Sequence, residues 1–242
     1  MRTIFSIWIA IVILLTGSFP VSGQESKADH SAWNRLLMSY VNQQGMVNYK
    51  GMLSIKPNLD HYLTYLSGNI PNDSWPEEEK LAYWINAYNA FTVSLILEHY
   101  PLKSIMDIDK AWDQKFIHLD GGLYSLNQIE HEIIRKEFDE PRIHFVLVCA
   151  AVSCPILLNE AYDPQNLEKQ MQKQGEQFIN DSKKNKIGPH GAKVSQVFNW
   201  FKDDFTKKST LIEYLNEFSD TKAELDARVD FMEYDWSLNE QK

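Results

Sequence analysis

The chain has 242 residues, of which 44% are hydrophobic, 12% aromatic and 24% charged, with 10 glycines, 9 prolines and 2 cysteines. That balance is too apolar for a disordered chain and too mixed for a fibrous one, no period repeats along it, and the length suits a single domain. Lys and Arg total 24 against 33 Asp and Glu, a net charge of −9, so the grip on a phosphate backbone that needs the opposite sign is excluded and nucleic acid is not an expected partner.

Residues 1–23 read as a signal peptide: Met1 and Arg2 start it, Ile4 to Leu15 is apolar, and Val21-Ser22-Gly23 offers small residues before a cut. As a helix the apolar run spans roughly 18 Å, short of the roughly 30 Å hydrocarbon core, so cleavage is favoured over anchoring. The expectation is an exported protein, periplasmic or extracellular, with residues 24–242 as one domain and no membrane span after cleavage.

Ser31 to Val41 places Trp33, Leu36, Leu37, Tyr40 and Val41 at helical spacing. A turn at Gly45 and a short strand within 43–49 follow, and Leu59, Tyr62, Leu63 and Leu66 restore the helical stripe. Ser74-Trp75-Pro76-Glu77 has the form of a capping box, and the helix it would start runs to Tyr100, where Pro101 stops it. The middle of that helix is apolar on nearly every side, which predicts enclosure by the rest of the protein. Asp120-Gly121-Gly122 predicts a hairpin turn, and Ser125 with Gln128 a second capping box. Ile143 to Cys149 (IHFVLVC) reads as a central strand covered on both faces. Asp163-Pro164 opens a helix with Leu167, Met171, Phe178 and Ile179 inward; 182–191 reads as a surface loop; 193–197 and 228–234 read as strands flanking a helix at 211–218. The elements do not alternate as βαβ units, so the expected class is α+β: a long enclosed helix packed on a small, mainly antiparallel sheet, with further amphipathic helices.

Five blocks carry a family resemblance: AYWINAYNA (82–90), SLNQIEHEIIR (125–135), PRIHFVLVCAAVSCP (141–155), SQVFNWFKDDF (195–205) and YDWSLN (234–239). Together they resemble the family named domain of unknown function 547, a resemblance that carries over no established catalytic residue. The long helix followed by a small sheet also looks like the papain and transglutaminase group. In that group the nucleophilic Cys begins the enclosed helix, whereas here the matching region holds Trp84 and Asn86 and no Cys.

Cys149 and Cys154 admit three readings: a disulfide, two inert thiols, or one reactive thiol. A bond between them requires Ala150 to Ser153 to turn sharply and would contribute about 2 kcal/mol. For a reactive thiol, position favours Cys154, in a loop beside Pro155, with His131 or His144 as base. Along an extended strand His144 would lie roughly 16 Å from Cys149 and on the opposite face, which excludes that pair. Glu130, Asp204 or Asn86 could orient the imidazole. Asn86 and Asn89, three residues apart on an apolar helix, either pin neighbouring backbone or line a pocket, Asn86 then assisting a developing oxyanion. Trp84, Asn89, Glu130 and Asp204 are binding candidates. C-x4-C with scattered His matches no compact zinc spacing, so no metal and no cofactor are expected. Two functions follow: a noncatalytic recognition domain for an envelope or extracellular ligand, or a thiol-dependent hydrolase or acyltransferase acting on a peptide or amide.

Overall fold

The structure, a computed structural model, describes residues 28–242; the segment expected to be a signal peptide lies outside the described residues. Helix α1 (Ser31–Tyr40) buries Trp33, Leu36 and Leu37, the face its spacing dictates. After it, Gly45 at φ 72° turns the chain, and Val47 bridges singly to Val41 and Glu240. The strand expected here is reduced to those bridges, because Asn48 accepts the Gly51 N–H at 2.8 Å and caps α2 (Tyr49–Leu53). Helix α3 (Lys56–Ser67) buries Leu59, Tyr62, Leu63 and Leu66.

Helix α4 (Glu77–His99) is buried without interruption from Leu81 to Leu97. Its expected capping box does not form: the Ser74 hydroxyl donates to Asn72 at 2.6 Å, Pro76 takes the cap position, and Glu77, Glu78 and Glu79 answer the helix dipole instead. The hairpin of β1 (Ile117–Leu119) and β2 (Gly122–Tyr124) closes through Asp120 and Gly121, both at positive φ, as a two-residue turn requires. The Ser125 and Gln128 side chains then accept each other's backbone N–H, both at 3.2 Å, and start a π-helical stretch, Gln128–Ile134, that passes into α5 (Arg135–Glu137).

The central strand expected at 143–149 is absent. Pro141–Phe145 is a 3-10 helix, opened by the Glu140 side chain accepting the Arg142 N–H at 3.0 Å, and the chain beyond it is irregular. Asn89 supplies the bonds a neighbouring strand would have made: its amide donates to the Val146 carbonyl at 2.9 Å and accepts the Val148 N–H at 3.0 Å.

Helix α6 (Leu167–Asn180) leads to β3 (Lys186–Gly188), β4 (Gly191–Val194), α7 (Val197–Trp200), α8 (Lys202–Phe205), α9 (Leu211–Phe218) and β5 (Arg228–Phe231). Strand β3 lies inside the segment expected to be loop, and it pairs antiparallel with β4, which pairs parallel with β5. The class is α+β, but α4 is enclosed by α2, α3 and the π-helical stretch. The three-stranded sheet instead turns Ala192 and Val194 into a second apolar cluster around Phe145, Phe178, Phe198 and Phe205. Ile143 belongs to the cluster around α4 and Phe145 to the second, so the 3-10 segment joins the two. Among the described residues no helix is long and apolar enough to cross a membrane.

One buried imidazole sets a pH limit on the fold. His30, buried against α3, shares a 2.6 Å hydrogen bond with the Tyr62 hydroxyl, and burial pushes its pKa down to about 4. The unfolded chain therefore takes up a proton near pH 6.5 that the folded chain refuses until about 4. Stability from this residue is complete above pH 6.5 and is lost as pH falls toward 4, by about 3 kcal/mol in all. Urea unfolding across that range will show a shallower loss for His30→Gln; identical slopes would assign the acid sensitivity to other groups.

Candidate active site

At the seam between the two apolar clusters lies a cavity of about 230 Å³ lined by both cysteines. Cys149 ends the irregular segment that Asn89 holds onto α4, and Ala150, which follows it, is buried in the left-handed region at φ 57°. That conformation costs a non-glycine residue about 1 kcal/mol and reverses the chain so that Cys154 returns beneath Cys149. The Cys149 N–H donates to the Cys154 sulfur at 2.8 Å, and the two side chains interact directly. Both are free thiols, Cys149 partly exposed and Cys154 buried; the disulfide weighed from the sequence is not formed. The thiols thus lie on a loop clamped to the enclosed helix, not on the helix itself.

His144 lines the same cavity. The sequence argument that separated it from Cys149 assumed an extended chain, and the 3-10 turn removes that premise. Its Nε2 lies 2.8 Å from Asp204 Oδ2, and the ring stacks on Phe201 with centroids 3.8 Å apart. A carboxylate only accepts, so Nε2 carries the proton and Nδ1 keeps its lone pair. Burial lowers the pKa of His144, leaving it neutral at pH 7, while His144 and Arg135 hold the Asp204 carboxyl well below the usual carboxylate range. Arg135 donates from Nε to the same Asp204 oxygen at 2.7 Å and from Nη1 to His131 Nδ1 at 2.9 Å. Since a guanidinium has no lone pair to give, His131 Nδ1 accepts and the proton sits on Nε2, the remaining donor of a ring that also lines the cavity.

The thiols are electrostatically unlike. Burial and its neighbour Cys154 hold the Cys149 thiol well above the usual range. At Cys154 burial pushes the same way but is outweighed by the Cys149 thiol and N–H, the Tyr234 hydroxyl and the Lys184 ammonium, so the net direction is down. Lys184 is held there by donating to the Cys154 carbonyl at 2.7 Å. Tyr234 lies 3.1 Å from the Cys149 sulfur, and burial beside the thiols keeps its phenol protonated, so it donates to a sulfur that becomes anionic. Ionisation is therefore favoured at Cys154 over Cys149, and Cys149 is the residue of the pair that is partly exposed.

Of the other sequence candidates, Glu130 lines the cavity and accepts the Tyr88 hydroxyl at 2.9 Å. Asp204 stands behind His144. Asn86 does not line the cavity: its amide donates to the Tyr162 carbonyl at 2.8 Å and accepts the Tyr162 N–H at 3.0 Å, which ties it to backbone away from the thiols. Asn89 is likewise spent on backbone, and Trp84 packs edge-on against Tyr83, 5.1 Å between centroids. Tyr88, Arg135, Tyr234, Trp112, Trp200 and Trp236 were not singled out as site residues. Apart from Trp112 they all lie in the five blocks that carry the family resemblance, and the convergence of those blocks on one cavity is the signal that could have found them. Among the described residues no group of three His, Cys, Asp or Glu side chains is placed to hold a metal ion. A larger groove of about 800 Å³ between α1 and α6 mixes Asp29, Glu160 and Asp163 with Lys169 and Lys173 and holds no thiol.

Residues 72–179 match the model of the family described as Protein of unknown function, DUF547, which supports the family read from the sequence blocks. Tyr88, Glu130, His131, Arg135, His144 and both cysteines fall inside the matched segment, whereas Asp204, Tyr234 and the indoles of Trp200 and Trp236 fall beyond it. Neither the curated proteins nor the solved structures give a match.

Proposed function

We propose that the protein is a thiol-dependent hydrolase or acyltransferase acting on a peptide or amide, with Cys149 as the nucleophile. The observation that carries this reading is the convergence, in one cavity, of a partly exposed thiol, a second thiol inclined to ionise, and a neutral His144 oriented by Asp204. Cys154 accepts the Cys149 proton as the Cys149 sulfur attacks the acyl carbon. The carbonyl π electrons move onto oxygen, where Tyr234 and His131 Nε2 are the available donors. The amine leaves with the proton that Cys154 took up as the tetrahedral adduct collapses to a thioester. His144 Nδ1 then takes a proton from water, or from an acceptor amine, which cleaves the thioester and restores the thiol. This moves the nucleophile from Cys154, favoured by sequence position, to Cys149, the partly exposed residue of the pair.

The recognition-domain alternative expects cysteines that are bonded and unreactive, and free thiols lining a cavity speak against it. Limiting iodoacetamide at pH 7, with the label mapped by mass, tests the choice on the full chain. Cys149 is expected to take the label in the native chain with Cys154 accepting its proton, and to label about tenfold more slowly in Cys154→Ser, where that acceptor is gone while the pH at which Cys149 itself ionises moves downward. No native label before reduction or unfolding would overturn the reading. Export is part of the proposal, supported by the character of residues 1–23; the intact mass of the secreted chain checks cleavage after Gly23.

A further inference from the structure

One wall of the thiol cavity is aromatic. Trp112, Trp200, Tyr234 and Trp236 all line it. Trp200 stacks on Trp236 with centroids 5.6 Å apart, Tyr234 lies 4.5 Å from Trp236, and Trp112 meets Trp236 edge-on at 5.9 Å. These rings come from three places in the chain: the segment before β1, the end of α7, and the stretch after β5. Trp200 is 47% exposed, a large apolar surface left to water beside the reacting sulfur.

The polar residues of the lining are each engaged through one atom. Glu130 accepts from Tyr88, the Asn127 amide donates to Asp113 at 2.6 Å, and His131 accepts from Arg135. An apolar ring needs only aromatic edges and faces at 4.5 to 7 Å, which this wall provides. Resting on the thiol-enzyme reading above, we propose that Trp200, Trp236 and Trp112 form a specificity subsite for an aromatic side chain of a peptide, placed next to the acyl group that Cys149 attacks.

The test uses the full chain and two chloromethyl ketones, of N-acetylphenylalanine and of N-acetylalanine. Each reagent forms a sulfur–carbon bond at Cys149, expels chloride and releases the thiol proton to solvent. Rates are divided by the same protein's rate with iodoacetamide, so that intrinsic thiol reactivity cancels. The phenylalanine reagent is expected to be faster by about tenfold or more in the unaltered protein. That preference will fall toward one in Trp200→Ala and recover in Trp200→Phe. Equal normalised rates for both reagents, or an unchanged preference in Trp200→Ala, would overturn the subsite while leaving the thiol reading standing. A Cys149 that resists iodoacetamide sinks the thiol reading instead. The subsite is then judged by indole fluorescence titrated with N-acetylphenylalaninamide and N-acetylalaninamide: saturation by the first alone retains it, and no difference removes it.

Discussion

Asn89→Ala will unfold about 4 kcal/mol more easily than the unaltered chain. The substitution strips partners from two buried backbone groups, the Val146 carbonyl and the Val148 N–H, and each orphaned group costs about 1 to 3 kcal/mol. Asn89, Val146 and Val148 are all buried, so the two groups lie away from bulk solvent. The same two bonds fix the approach to Cys149, so the altered protein, where still folded, will also lose selective labelling of that thiol. Asn86→Ala provides the comparison. It strips the Tyr162 backbone and should cost a similar amount in urea unfolding while leaving Cys149 labelling intact. A loss below about 1 kcal/mol for Asn89→Ala would mean that the segment relaxes to find other partners.

Asp204→Asn should act on chemistry while leaving the shape of the site intact. His144 and Arg135 both donate to one oxygen of Asp204, and an asparagine carbonyl can still accept from both, which preserves the tautomer. What goes is the negative charge. With p-nitrophenyl acetate as acyl donor, the rapid release of nitrophenol on acylation should survive. The steady rate, which depends on His144 drawing a proton from water, should fall by about 10² to 10³. The sign of the pH effect follows from the same geometry. Burial pushes His144 down and Asp204 pulls it up, so removing the charge lowers its pKa further, and the acid limb of the steady rate must move to lower pH. A purely structural lesion would lower the rate without moving that limb.

The helical part of this fold was legible because its spacing leaves little choice: the stripes of α1 and α3, the all-round apolar middle of α4, and the Asp-Gly turn each admit one economical structure. The run IHFVLVC was misread for a physical reason. A segment apolar on every side is the signature of burial, and burial is shared by a central strand and by an irregular chain whose backbone is bonded to side chains. Only the partner distinguishes them, and Asn89 lies 57 residues from Val146. The site suffered the same fate. Cys149, Cys154, His144 and Asp204 could be named from their chemistry, but their roles could not, because the strand assumption set His144 apart from Cys149. Tyr234, Trp112, Trp200 and Trp236 are not legible as site residues, since nothing local distinguishes an aromatic residue in a core from one in a cavity wall.

The return of the chain after β5 has a consequence for how this protein is made. The Cys149 sulfur and the Tyr234 hydroxyl that covers it are 85 residues apart in the chain. At about 5 to 20 residues per second, a growing polypeptide carries its thiols for roughly 4 to 17 s before their cover exists. During biosynthesis, therefore, Cys149 and Cys154 meet whatever oxidants surround the nascent chain before Tyr234 can bond to the Cys149 sulfur.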